Sequence, residues 1–78
     1  MVFMNKEFDV TSFIMTFESE EMEDSEIVYG MQHLINKGLA YSLQGFYGRI
    51  ADNLIDQGFC KPKGVWTPEE AREQFLSL

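Results

Sequence analysis

The sequence predicts an all-α fold: a small three-helix core with an additional C-terminal helix. Three observations predict it. Apolar residues recur at helical spacing, the stretches carrying them are bounded by residues that start or stop helices, and no alternating strand pattern of comparable length occurs.

In the first stretch Val10, Phe13, Ile14 and Phe17 fall at i, i+3, i+4 and i+7, one stripe of a helix from about Val10 to Glu18, with Asp9 or Thr11 able to cap it. The next helix is expected from about Ser25 to Lys37. Ile27, Met31, Leu34 and Ile35 form its stripe, Asp24 or Ser25 is the cap, and Gly38 follows as a C-terminal stop. Leu43, Tyr47, Ile50 and Leu54 mark a third helix, with Ser42 as a possible cap, Gly58 as its stop and Phe59 placed to close that stop hydrophobically.

WTPEEA, residues 66–71, is the clearest local signal. Thr67 is the cap, Pro68 the preorganised first residue and Glu70 the reciprocal capping-box partner, while Trp66 can staple onto Ala71. A helix from about Pro68 to Leu76 follows. The chain therefore divides into a helical core over residues 1–60 and a Pro/Gly linker with a C-terminal helix over 61–78, packing on or beside it. Phe13, Phe17, Ile27, Met31, Leu34, Leu43, Tyr47, Ile50 and Leu54 are the expected core. Gly30, Gly45 and Gly48 sit inside helices at a cost of up to about 1 kcal/mol each, which close backbone approach would offset.

Charge is less evenly spread than apolarity. Thirteen acids face six bases, a net charge of −7, and eight of the acids lie between Glu7 and Glu26. From Lys37 onward five bases balance five acids, so the first third carries the field. Its densest part is ESEEMEDSE, residues 18–26, with six carboxylates in nine positions. Two uses are open: a solvated loop leading into the first turn of the second helix, or a contact surface for a basic partner.

The residue inventory excludes several functions. One cysteine, Cys60, and one histidine, His33, cannot form an internal disulfide or a four-ligand zinc site, and no third group orients them as a catalytic dyad. ESEEMEDSE lacks the central glycine of an EF-hand loop. No metal or cofactor is expected, and no enzyme activity. The two helices joined by NKGLAYSLQG have a helix-turn-helix outline, but Arg49 stands beside Asp52 and Asp56, too little positive charge for direct nucleic-acid binding. An acidic protein filling a nucleic-acid-binding groove uses the same charge with the opposite logic. No stretch is apolar enough to span a membrane and no secretory leader is evident, so a cytoplasmic protein is expected.

FIMTFESEE, EIVYGMQHLINKGLA and SLQGFYGRIADNLIDQGFC together resemble a family of short acidic proteins encoded by bacteriophages and prophages, with no activity assigned to it. The likeness covers residues 13–60, its LQGxYGR core (Leu43 to Arg49) is the most specific element, and the tail from Lys61 to Leu78 falls outside it. It implies a phage origin, and it brings no catalytic residues. Gln44, Tyr47 and Arg49 have two readings. They form a partner-binding patch, or Gln44 and Arg49 satisfy the carbonyls ending the second helix while Tyr47 packs.

The expectation is a small phage-type protein that binds and inhibits or redirects a host protein, in a defence or nucleic-acid-handling complex. Its contact residues are expected to be Glu18, Glu20, Glu21, Glu23, Asp24, Gln44, Tyr47, Arg49 and Trp66. The alternative is a scaffold module whose GFYG segment and C-terminal helix form a homodimer.

Overall fold

The computed structural model describes residues 9–43 and 45–78, and all regular structure in them is helical. The order is α1 (Val10–Glu18), α2 (Asp24–Lys37), α3 (Gly45–Asp56) and α4 (Pro68–Leu76). The all-α expectation therefore holds, with the fourth helix where WTPEEA places it.

Helix ends follow local chemistry, with two departures. Asp9 caps α1, its carboxylate accepting from the backbone N–H of Thr11 and Ser12. Thr67 and Glu70 make both bonds of the capping box, at 3.1 and 2.9 Å. Gly38 (φ 76°) and Gly58 (φ 87°) end α2 and α3 in the left-handed conformation that costs glycine little. At α2 the Leu39 N–H reaches the Leu34 carbonyl, and at α3 the Phe59 N–H reaches that of Leu54.

The first departure is at the start of α2, where neither Asp24 nor Ser25 caps. The helix already includes both residues, and Glu23 occupies the N-cap position without a side-chain cap bond. Glutamate is not among the short side chains favoured there, so the turn closes through the Glu23 carbonyl alone, which accepts from Glu26 and Ile27. The second is Ser42, whose hydroxyl donates to the Gly38 carbonyl, while α3 begins at Gly45.

α2 is the hub: among the described residues α1, α3 and α4 each pack on it. Its position explains where the core expectation was incomplete. Ile27, Met31, Leu34 and Ile35 form the expected stripe at i, i+4, i+7 and i+8, and Val28 and Gln32 stand beside it, meeting Cys60 and, in the linker, Lys61. Val28, Met31, Gln32, Leu34 and Ile35 are all buried, with Phe13, Ala40, Tyr47, Ala51, Cys60 and Ala71 packed around them. Phe17, Ile27, Leu43, Ile50 and Leu54 are half-buried at the margin. A helix covered on several sides buries residues that a one-stripe reading leaves outside.

The glycines divide by environment. A Cβ at Gly30 would stand 2.0 Å from the Phe13 ring, so this glycine lets α1 lie on α2. At Gly48 it would meet the Tyr41 ring at 3.1 Å, which makes the contact one with the preceding turn. At Gly45 nothing among the described residues lies within 4 Å, and the expected close approach is not seen among them.

α4 is pinned by a polar clamp. The fully buried Gln32 side chain accepts from the Lys61 N–H (2.8 Å) and donates to the Lys61 carbonyl (2.9 Å) and to Asn36 Oδ1 (3.0 Å). Asn36 in turn accepts from the Gly64 N–H and donates to the Trp66 carbonyl. One carboxamide thus satisfies both polar groups of a linker residue, as a paired strand would, and its i+4 neighbour holds the rest of the linker. Ala71, with no side chain beyond Cβ, is fully buried, and Phe75 packs edge-to-face on Phe59 at 5.3 Å.

Candidate functional site

The acidic segment forms the connection from α1 to α2. Its conformation is set at Glu20, which has φ 63° and is the one non-glycine residue with positive φ among the described residues. Glu20 takes the left-handed conformation that glycine takes at the ends of α2 and α3, and its N–H reaches the Phe17 carbonyl at 3.1 Å. The carboxylates that follow are spread outward. Glu20, Glu21 and Glu23 are exposed, with no side-chain hydrogen bond or ion pair within the described residues, and Asp24 lies exposed in the first turn of α2. Two acids of the segment are engaged. Glu18 accepts from the Tyr47 hydroxyl at 3.3 Å, and Glu26 pairs with Arg72 at 3.6 Å, where the guanidinium also lies over the Tyr29 ring.

Met22 is the half-buried apolar residue of the segment, and a groove opens on each side of it. The first, about 410 Å³, lies between α1 and α2, with Phe13, Met22 and Tyr29 as apolar lining and Asp9, Glu21, Glu23 and Glu26 around them. The second, about 460 Å³, is lined by Phe17, Met22, Ile27 and Phe46 together with Glu18 and Glu20. It brings the acidic segment and the GFYG segment to one place. The Phe17 and Phe46 rings lie nearly parallel, 6.4 Å apart and inclined by 17°. Among the described residues neither groove has Lys or Arg in its lining, so there each combines an apolar surface with negative charge.

Of the remaining expected contact residues, Tyr47 and Trp66 do not present a side chain on this face. Tyr47 is 2% exposed and packs on Phe17 and Phe46, so a partner cannot touch its ring. Burial and the nearby Glu18 charge raise its hydroxyl pKa. Packing is therefore the reading the structure supports for Tyr47, and Phe46 beside it presents the accessible ring. Gln44 lies outside the described residues. Arg49 is exposed on α3, and among the carbonyls ending α2, which Gln44 and Arg49 were expected to satisfy, those of Leu34 and Ile35 accept backbone N–H groups. Trp66 is half-buried, with Lys61 5.1 Å from its ring centre and its carbonyl held by Asn36. Asn36 is twelve residues along α2 from Asp24, about 18 Å at 1.5 Å per residue. The tryptophan thus belongs to the clamp at the far half of α2. Phe17, Met22, Ile27 and Phe46 line the second groove and were not among the expected contact residues. The sequence signals were indirect: Phe46 lies in the GFYG segment read as a dimer surface, and Met22 within ESEEMEDSE.

Cys60 and His33 have ordinary structural surroundings. The Cys60 thiol is fully buried, 3.7 Å from the Val28 carbonyl, and burial pushes its pKa up to about 12, so it is protonated at neutral pH. His33 stacks edge-on against Tyr29 at 5.2 Å, and partial burial together with the nearby Lys37 charge lowers its pKa. Among the described residues no three acidic, histidine or cysteine side chains converge as a metal site, and no helix is long and apolar enough to cross a membrane.

A family model described as a domain of unknown function (DUF7417) matches residues 4–75. No curated protein and no solved structure matches the chain. The family match runs through the linker and nearly all of α4, which corrects the expectation that everything beyond residue 60 lies outside the shared sequence. The clamp and the helix it holds are thus part of the family's domain, and the chain belongs to the DUF7417 family of unknown function.

Proposed function

We propose that this protein is a non-catalytic binding module: a phage-type product that acts in the host cytoplasm by engaging a basic surface on a host protein and inhibiting or redirecting it. A defence or nucleic-acid-handling complex is the target class, because such complexes carry the basic surfaces an acidic face can occupy. One observation carries the reading. Two apolar grooves flank Met22, both edged by carboxylates, and Glu20, Glu21 and Glu23 have no cationic partner within the described residues. Carboxylates serving only to start α2 would not need grooves beside them.

The test is capture of a partner from a bacterial lysate with the tagged protein, followed by binding kinetics with the purified partner. Replacing Glu20, Glu21 and Glu23 by Gln should slow association and flatten its salt dependence, since exposed charges act over roughly 8–10 Å at physiological salt. Folding stability should change by only a few tenths of a kcal/mol. Association unchanged at low and high salt would remove the acidic face from the mechanism.

The homodimer remains a second reading, favoured by the exposure of Leu76 (65%) on α4 and Phe46 (39%) on α3. Mass measured across a wide concentration range decides it. A monomer at every concentration eliminates the dimer, and a tight dimer makes the acidic loops a paired surface.

A further inference from the structure

We propose that the groove lined by Phe17, Met22, Ile27 and Phe46 seats an apolar side chain of the partner, flanked on the partner's chain by arginine or lysine that meets Glu18 and Glu20. The inference rests on the binding-module reading and specifies what the partner must present: a short basic segment with an apolar anchor.

The groove's size and lining argue for the anchor. At about 460 Å³ it falls within the range of sites that bury a whole side chain or small ligand, far more room than carboxylates need to attract a cation. Its aromatic surface is built from two elements distant in sequence. Phe46 on α3 is 39% exposed while its neighbour Tyr47 is buried, so α3 directs one ring inward and leaves the other at the groove. Burying an apolar side chain against Phe17, Phe46, Met22 and Ile27 removes hydrocarbon from water on both partners.

The charge at the edge selects among occupants. A second copy of this chain would bring Glu18 and Glu20 toward a molecule that is itself net −7, and like charges brought together at an interface oppose association. Nucleic acid and anionic lipid are repelled for the same reason. A basic protein segment is attracted. Glu18 already accepts from Tyr47, which leaves Glu20 as the lining carboxylate with no side-chain partner among the described residues. Glu20 also holds φ 63°, a conformation glycine would adopt at lower cost, so the chain keeps a carboxylate here against a backbone penalty.

The experiment uses the whole 78-residue chain and three short acetylated peptides, titrated by NMR with the methyl signals of Met22 and Ile27 assigned. One peptide carries leucine between two arginines, the second alanine between the same arginines, and the third leucine between two glutamines. The leucine–arginine peptide should bind roughly tenfold more tightly than the alanine peptide, consistent with burial of an aliphatic side chain, and should shift the Met22 and Ile27 methyls. Phe46→Ala should remove the leucine preference, and Glu20→Gln should weaken both arginine peptides while the preference persists. Equal binding of the leucine–arginine and alanine peptides overturns the anchor and leaves the acidic-face reading standing. Equal binding of the leucine–arginine and glutamine peptides removes the basic flanks, and with them this inference. Absence of binding, or shifts confined to other residues, assigns the groove no such ligand, while the kinetics of the captured partner still decide the broader reading. A dimer broken by Phe46→Asp gives the groove to a second copy and overturns the proposal.

Discussion

The two ends of α2 handle polar groups in opposite ways. At the C-terminal half, Gln32 and Asn36 are bonded on both their oxygen and nitrogen sides, and the linker they hold leads into a helix with a complete capping box. At the N-terminal end, α2 starts without a side-chain cap, Glu20 sits in a left-handed conformation, and three carboxylates stand beside open grooves. The first arrangement fits a structural role, because buried polar groups stabilise a fold only when each is matched. The second has few matched polar groups, which is why the proposed binding face is assigned to it.

The largest expected effect comes from breaking the clamp. Gln32→Ala leaves the Lys61 N–H and carbonyl without their buried partner and opens a cavity against α2. A loss of about 3 kcal/mol is expected in chemical denaturation, with α4 amides losing protection from hydrogen exchange first. If α1 amides were lost first, the clamp would not be what holds α4.

Gly30→Ala disturbs the opposite end. Its Cβ would stand 2.0 Å from the Phe13 ring, which must leave its buried site, at an expected cost of about 2 kcal/mol. α1 should loosen while the Gln32 bonds survive. Hydrogen exchange on this variant and on Gln32→Ala should therefore show opposite patterns, and identical patterns would mean that the two ends unfold as one unit.

Cys60 sharpens the comparison through pH. Burial raises its folded pKa from 9.0 to about 12, so the folded chain holds the proton more tightly than the unfolded chain. The contribution is complete below pH 9 and is lost as pH rises toward about 12. Urea denaturation across this window should show declining stability, and Cys60→Ala should flatten the decline. Some slope should remain above pH 10, because Tyr41 and Tyr47 are also raised above their ordinary value of 10.0. A slope unchanged by Cys60→Ala would show that the thiol is accessible in the folded chain.

The smallest effect tests the penalty at the acidic end. Glu20→Gly relieves the left-handed glutamate and should stabilise the fold by about 0.5–1 kcal/mol, measured as a rise in denaturation midpoint. Partner association should weaken in the same variant. Greater stability with unaltered association would separate the strain from function.

Much of this fold was legible in the sequence because its signals are local. Asp9, Gly38, Gly58, Thr67, Pro68 and Glu70 fix helix ends through bonds to residues at most a few positions away, so spacing alone locates all four helices. The uncapped start of α2 was misread because Asp24 and Ser25 are both good caps, and which residue stays outside the helix depends on how the preceding loop arrives. The excess of charge in residues 18–26 was also plain from composition.

Tertiary structure decided the rest. Only the central position of α2 turns Val28 and Gln32 inward, and nothing local announces that a glutamine will be buried by bonding Lys61 twenty-nine residues away. Only packing separates Phe46 from Tyr47, adjacent aromatics of which one faces a groove and the other the core. The sequence by itself determined helix positions, the acidic loop and the absence of a disulfide framework, because propensity, capping and charge are properties of neighbouring residues. The clamp on α4, the meeting of Glu18 and Glu20 with Phe46, and the removal of Tyr47 and Trp66 from a shared patch follow from contacts between segments far apart in the chain. Those contacts exist only once α2 is surrounded.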